Sequence, residues 1–170
     1  FAFVRKNMPM QSLLLGGEQE KGLRAGTESI HQIAGMAKAL EIAYQNLDTE
    51  RNAIFELKKY AIEKLIAHFP TIKFNGGLET FYSILNVQLP LPKEKSALIL
   101  FELDIKGIAV SRGSACQSGS SKPSHVLAEF LTVEELERPS IRLSFSHENT
   151  KEEIDYALQQ LQQVYQHNLS

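Results

Sequence analysis

The feature that most constrains this chain is its single cysteine, Cys116, because the residues around it are too small and too polar to bury a thiol in a core. Residues 111–125 read SRGSACQSGSSKPSH, in which Ala115 is the only apolar neighbour of the cysteine. Serine and glycine in such density favour an exposed, mobile loop. Arg112 and Lys122 add positive charge, which favours the nucleophilic thiolate. Most lone cysteines are inert, buried residues, and this composition argues against that alternative.

Both flanks of this stretch predict ordered elements that would carry the loop. Residues 107–110, GIAV, are typical of a short strand. Residues 124–131 predict a helix, for which Ser121 is a suitable N-cap and Pro123 is tolerated in the first turn. We therefore expect a thiol on a tether between a strand and a helix.

Length and composition are those of an ordinary globular protein, with 170 residues, 43% of them hydrophobic and 22% charged. A formal net charge of -2 gives no electrostatic reason to expect binding to nucleic acid or to an anionic membrane. One cysteine excludes a disulfide framework and a multi-thiolate metal site within the chain, and we expect no metal. This usage fits a reducing, cytoplasmic compartment. Apolar runs are too short for a membrane span or a signal peptide.

Hydrophobic periodicity predicts an α/β chain with a small, mostly antiparallel sheet covered by helices. Helical spacing covers residues 30–69, where Pro70 ends it, as one long bent helix or as two helices with a second cap near Asp48. The last helix begins with a capping box of Thr150 and Glu153. The other predicted elements are strands at residues 1–4, 71–75, 83–89 and 140–146 and a helix at residues 93–103. The strand at residues 1–4 has no initiator Met or preceding turn, so we expect an upstream portion.

The loop at residues 16–27 has the composition of an anion-binding site. Its glycines allow backbone N–H groups to face outward, Arg24 supplies a guanidinium, and Thr27 would place a hydroxyl at a helix N-terminus. An ordinary glycine-containing turn followed by a Thr N-cap explains the same pattern.

Arg142 lies in the alternating segment SIRLSFS, on the face opposite to Ile141, Leu143 and Phe145. A fixed guanidinium on the wet face of a strand could bind a carboxylate through two hydrogen bonds. The alternative is a surface ion pair with a nearby glutamate, which Arg142 taken alone would favour.

The order of three segments favours the functional interpretations of Arg142 and of the loop at residues 16–27 over the ordinary ones. These segments are GGEQEKGLRAGTES, SRGSACQSGSSKPSHVL and SIRLSFSHENTKEEID. Together with the ILNV of residues 84–87, they closely resemble the C-terminal part of pyridoxal-phosphate-dependent cysteine desulfurases of the class V aminotransferase family. The resemblance is to the type with the long cysteine loop, which serves iron–sulfur cluster assembly and tRNA thiolation. It implies the small domain of a fold type I enzyme, with residues 1–27 as a remnant of the large cofactor domain and residues 28–170 as the C-terminal domain.

The resemblance also implies roles for four residues. Cys116 resembles the cysteine that takes sulfur from L-cysteine as a persulfide and leaves L-alanine. Thr27 resembles the residue that binds the cofactor phosphate of the opposite subunit, which implies a homodimer, and Arg24 would assist it. Arg142 resembles the arginine that receives the substrate carboxylate. The implied partners are the upstream large domain and a sulfur acceptor protein or iron–sulfur scaffold.

The chain also departs from the family pattern. Of the groups that hold pyridoxal phosphate, the lysine that follows a histidine in these enzymes has no counterpart here, since no His-Lys dipeptide occurs. We therefore expect no bound cofactor and no activity for the fragment alone. Replacements of the common residue are Glu18 and Ser146 for glycine, Ala25 and Arg112 for serine, Ser29 for asparagine and His147 for arginine.

Two other classes of function remain open on the residues alone. The chain could be a non-catalytic module that carries sulfur or reacts through Cys116, or a domain for dimerisation and scaffold docking. Plain aminotransferase chemistry is less favoured, because it has no need of the loop that carries Cys116. His125 is the one histidine close enough in sequence to assist the thiol.

Overall fold

The computed structural model describes residues 1–91, 96–112 and 124–169. Two compact units are present, Phe1–Asn46 and Leu47–Ser170, and their boundary falls within one helix. The assignment of residues 1–27 to the large cofactor domain and of residues 28–170 to the C-terminal domain stays a prediction.

The first unit holds little regular structure before its helix. Residues 1–4 form no strand, so that prediction is wrong. An apolar run becomes a strand only where a partner takes its backbone hydrogen bonds, and the described part of this unit contains no second strand. A short 3-10 turn follows at Gln19–Gly22, in which Glu20 and Lys21 have positive φ values of 50° and 58°.

Helix α1, Ile30–His68, is a single helix of 39 residues, so the two-helix alternative with a cap near Asp48 is wrong. Its interior has no proline to interrupt it. Its later turns bury one apolar face, and the helix ends just before Phe69 and Pro70, as the pattern predicts. The buried residues of the helix are Ile54, Leu57, Lys58, Ala61 and Leu65.

The sheet has four strands in the order β1-β2-β4-β3, with every neighbouring pair antiparallel. Strands β1 and β2 are Lys73–Phe74 and Ile84–Gln88, and strands β3 and β4 are Ser111–Arg112 and Ser140–Ser144. The predicted antiparallel sheet is therefore confirmed. The strand expected at residues 107–110 is displaced, because pairing with β4 begins only at residue 111.

Helices cover one face of this sheet. Helix α2 is Ser96–Ile105, and α5 is Lys151–Leu169. The predicted capping box of α5 is confirmed, since the Thr150 amide donates to Glu153 Oε2 at 3.1 Å and the Glu153 amide donates to Thr150 Oγ1 at 3.2 Å. The core brings together apolar residues from α1, β2, α2, β4 and α5, among them Leu65, Leu85, Val87, Ile99, Ile141 and Leu158.

Two short helices lie between β3 and β4. Helix α3, His125–Ala128, ends three residues before the predicted limit at residue 131. Helix α4, Val133–Leu136, was not predicted, although its capping box of Thr132 and Glu135 is readable in the sequence. Glu135 Oε1 also accepts a hydrogen bond from Lys73 Nζ at 2.9 Å, which joins α4 to β1. None of the helices in the described part of the chain is long and apolar enough to cross a membrane.

Lys58 of α1 is fully buried, with 0% of its surface exposed. Its ammonium donates to Thr80 Oγ1 at 2.9 Å and to the carbonyl oxygen of Phe81 at 3.1 Å, in the connection between β1 and β2. Burial lowers the pKa of Lys58 from its usual 10.5. In the same connection Gly76 has a φ of 100°, and a Cβ there would lie 2.5 Å from Thr80 Cγ2. Because the Lys58 ammonium holds Thr80 and Phe81, helix α1 fixes the path of the connection between β1 and β2.

Candidate functional site

Cys116 and the loop that carries it lie outside the residues that the structure describes. Its activation and its tether therefore stay predictions. The N-cap of the helix that follows is Ser124, so the prediction of an N-cap at Ser121 is wrong. The described flanks are β3, which ends at Arg112, and α3, which begins at His125 with an exposed side chain. The proposed assistance from His125 stays a prediction as well.

The loop before α1 is held by its own side chains. The Gly26 amide donates to Gln19 Oε1 at 3.1 Å, and Arg24 Nη1 donates to the Ala25 carbonyl oxygen at 2.9 Å. Gly26 has a φ of 99°, a conformation that residues with a Cβ rarely adopt, so the backbone favours glycine at this position. The conformation of the loop thus depends on glycine, as its composition predicts.

Thr27 does not begin the helix directly. Helix α1 starts at Ile30, and the Ser29 carbonyl oxygen accepts the Ile33 amide at 3.0 Å, so Ser29 occupies the N-cap position. Both expectations for Thr27, an ordinary N-cap and a hydroxyl placed at the helix N-terminus, are therefore wrong. The Thr27 side chain is exposed, two residues before the cap. An exposed hydroxyl beside a glycine-dependent turn and an exposed guanidinium is a chemically suitable set of donors for a phosphate.

Arg142 occupies the middle of β4, between neighbouring strands on both sides. It is directly opposite Asn86 of β2 and Ser111 of β3 in the strand register. Its side chain is partly buried, and its Nε has no hydrogen-bond partner among the residues that the structure describes. No carboxylate of that part of the chain forms an ion pair with it. The surface ion-pair alternative therefore has no support from the described residues.

A chain of amide side chains lies beside Arg142 on the same face of the sheet. Gln88 Nε2 donates to Asn75 Oδ1 at 2.9 Å, and Asn75 Nδ2 donates to Asn86 Oδ1 at 2.9 Å and to Ser140 Oγ at 3.2 Å. Gln88 is 2% exposed, and its Oε1 has no donor within the described ranges. We call Asn75, Asn86, Gln88 and Ser140 the amide network. The sequence did not predict the amide network. The alternation of Leu85, Asn86, Val87 and Gln88 indicates only that Asn86 and Gln88 share one face of the strand.

The candidate residues thus fall in different parts of the described chain. Arg24 and Thr27 belong to the unit Phe1–Asn46, and Arg142 belongs to the unit Leu47–Ser170. Within the residues described, no group of three His, Cys, Asp or Glu side chains is arranged to hold a metal ion. The arrangement on β4 offers hydrogen-bond donors to an anion.

Comparison with known families accounts for this combination of segments. The sequence model of the aminotransferase class-V family matches residues 6–157. The chain belongs to that family. The match includes the loop of Arg24 and Thr27, the segment of Cys116 and the strand of Arg142, so the resemblance seen in these motifs extends through the sequence between them.

Curated relatives within the family are cysteine desulfurases. The chain is 36% identical over 163 residues to cysteine desulfurase IscS of Clostridium botulinum, covering 95% of this chain and 41% of the relative. It is 35% identical to cysteine desulfurase IscS of Methanosarcina thermophila, covering 96% and 40%, and 33% identical to cysteine desulfurase of Rattus norvegicus, covering 91% and 34%. The chain therefore spans about two fifths of the length of the first two and about a third of the rat enzyme.

Solved structures show the same fold. A NifS-like protein superimposes with a TM-score of 0.80 at 28% identity, covering 97% of this chain and 41% of that chain. The NifS-like protein of Rickettsia africae gives a TM-score of 0.77 at 26% identity, covering 94% and 41%. The predicted fold class, an α/β small domain with a mostly antiparallel sheet and a long N-terminal helix, is confirmed by these structures and by the sheet described above.

Proposed function

We propose that the protein containing this chain is a cysteine desulfurase that transfers sulfur from L-cysteine to Cys116. The observation that carries the proposal is the extended similarity to cysteine desulfurases, which covers 95% of this chain and includes the lone cysteine in its GSAC segment, residues 113–116. The partly buried Arg142, whose Nε lacks an acceptor among the described residues, supports it, because the substrate of such an enzyme carries a carboxylate.

The reaction balances between substrate and thiol. The Cys116 thiolate attacks the sulfur of L-cysteine, an S–S bond forms, and the bond between that sulfur and the substrate's Cβ breaks. The sulfur remains on Cys116 as a persulfide, and the carbon that loses it gains a proton, so that L-alanine is released. Arg142 holds the substrate carboxylate through charge-assisted hydrogen bonds. A sulfur acceptor protein or iron–sulfur scaffold then takes the sulfur from the persulfide.

Pyridoxal 5′-phosphate is the cofactor that the family implies. When bound, it supplies an electron sink for the carbon that carries the substrate's amino group. Thr27 and Arg24 are suited to its phosphate, because both side chains are exposed beside the glycine-dependent turn and one guanidinium nitrogen of Arg24 is already fixed by Ala25. The chain would bind that phosphate from a partner subunit of a homodimer, and the upstream large domain would hold the rest of the cofactor.

The decisive experiment compares wild type and Cys116→Ser in the full-length protein supplied with cofactor and L-cysteine. We expect the substitution to abolish sulfide release under reducing conditions and to leave the visible absorbance of the bound cofactor unchanged. Retained sulfide release would reject the role of Cys116. Mass spectrometry of the wild type after substrate addition should show one extra sulfur on the peptide that contains Cys116.

A further inference from the structure

The position opposite Arg142 offers a second donor to the same anion. Asn86 on β2 and Arg142 on β4 are directly paired in the antiparallel register. Leu85 and Val87, the neighbours of Asn86, are 2% and 0% exposed and belong to the core. Since side chains alternate between the faces of a sheet, Asn86 and Arg142 lie together on the face away from that core. Opposed residues have Cβ atoms about 4.5–5.5 Å apart, so one small anion can contact both side chains.

The amide network fixes which end of Asn86 is available. Asn86 Oδ1 accepts a hydrogen bond from Asn75 Nδ2, and Asn75 is itself held by Gln88 through its Oδ1. The carbonyl end of Asn86 is therefore occupied, and its Nδ2 has no acceptor among the described residues. A primary amide carries two N–H donors on that nitrogen. Asn86 Nδ2 and Arg142 Nε are thus two donors on this face that have no acceptor among the described residues.

Two adjacent donor groups without an acceptor match a carboxylate better than they match any neutral ligand. Arg142 Nε is buried and unpartnered within the described residues, which is costly for a charged donor. A carboxylate has two oxygens with about four acceptor sites, so a guanidinium that takes two of them leaves sites for a further donor. Asn86 and Arg142 are both only partly buried, so an anion can reach them.

We propose that Asn86 is a substrate-binding residue whose side-chain amide donates a second hydrogen bond to the carboxylate held by Arg142. This inference rests on the proposed function, because the carboxylate is that of L-cysteine. Asn75 acts as the positioning residue, since it turns the amide of Asn86 so that the NH₂ group is free. The pair would therefore select amino acids with a free carboxylate over the corresponding amines.

The test uses the full-length, cofactor-loaded protein and three variants. Asn86→Ala removes the donor, and Asn86→Asp also removes it but keeps an oxygen for Asn75, so the amide network is preserved. We expect each to raise the KM for L-cysteine and the inhibition constant of L-alanine about tenfold or more, with kcat within about twofold of wild type. Ser144→Asp is the matched control, because it places the same charge on β4, two residues from Arg142.

The outcomes separate the two proposals. If Asn86→Ala leaves KM within twofold of wild type, or if Ser144→Asp raises KM as much as Asn86→Asp does, the hydrogen bond from Asn86 is rejected. Should Asn86→Ala fail to fold, the comparison of Asn86→Asp with Ser144→Asp decides alone. A wild-type protein that releases no sulfur from L-cysteine would instead reject the proposed function.

Discussion

Replacement of Lys58 tests how the buried lysine stabilises the second unit. Lys58→Ala deletes three methylene groups from a side chain that is 0% exposed, which costs about 2.5 kcal/mol at roughly 0.8 kcal/mol for each buried methylene. It also removes the donor for Thr80 Oγ1 and the Phe81 carbonyl oxygen, at about 1 kcal/mol each, and relief from burying a charge offsets part of that loss. We expect Lys58→Ala to lower the free energy of unfolding by about 3–4 kcal/mol.

Lys58→Met is the matched control, because it keeps a long apolar side chain and removes only the ammonium. We expect it to cost about 1 kcal/mol, so that the two variants differ by about 2.5 kcal/mol, the packing contribution of the methylene groups. Urea unfolding, followed by circular dichroism, gives both values from the midpoints. Equal stabilities for the two variants, or a loss below about 1 kcal/mol for Lys58→Ala, would refute the reasoning.

The same pair has a defined dependence on pH. Burial lowers the pKa of Lys58 in the folded state below 10.5, so between the folded and unfolded pKa values the unfolded chain binds more protons. The stability of the wild type should therefore rise relative to that of Lys58→Met as the pH increases through that window towards 10.5. A constant or falling difference would show that the ammonium is not desolvated.

Three further predictions concern the ends and contacts of helices. The pKa of Glu135 is lowered to about 2, chiefly by its hydrogen bond with Lys73. The stability difference between wild type and Glu135→Gln should therefore be complete above pH 4.5 and shrink as the pH falls towards 2. Unfolding midpoints measured at a series of acid pH values check this. Tyr60 Oη donates to both carboxylate oxygens of Asp155, at 2.9 and 2.8 Å, and this hydrogen bonding lowers the pKa of Asp155. Tyr60→Phe should therefore raise the Asp155 pKa in an NMR titration. An unchanged value would contradict the contact. Thr150→Ala removes the acceptor of the α5 capping box and should lower stability by about 1 kcal/mol in urea unfolding, whereas no loss would show that the cap is dispensable.

Local signals allowed much of the fold to be predicted. The capping box before α5 depends on residues three apart, and the burial of Ile141 follows from the alternation of β4, so both are readable in the sequence. The extent of α1 follows from its periodicity and from Pro70. Residues 1–4 show the limit of such signals, because an apolar run of strand type remains unpaired where no neighbouring strand takes its hydrogen bonds.

The candidate site was predictable in its residues but only partly in its geometry. Arg142 was correctly placed on the polar face of a strand, since alternation alone determines the face. Its pairing with Asn86 depends on the register between β2 and β4, which are separated by more than fifty residues and whose alignment no local pattern specifies. The burial of Lys58 was also missed, because a lysine on a helix is ordinarily exposed and its acceptors come from a distant turn.

The anchoring of the β1–β2 connection by α1 restricts how this region can evolve. Surface connections usually accept insertions and deletions, since their length has little effect on the core. Here a change in length between Asn75 and Ile84 would withdraw Thr80 from Lys58 and leave a cation in the interior without its oxygen acceptors. Variation in this segment should therefore occur by substitution at a constant number of residues, with Gly76 retained, unless position 58 changes to an uncharged residue at the same time.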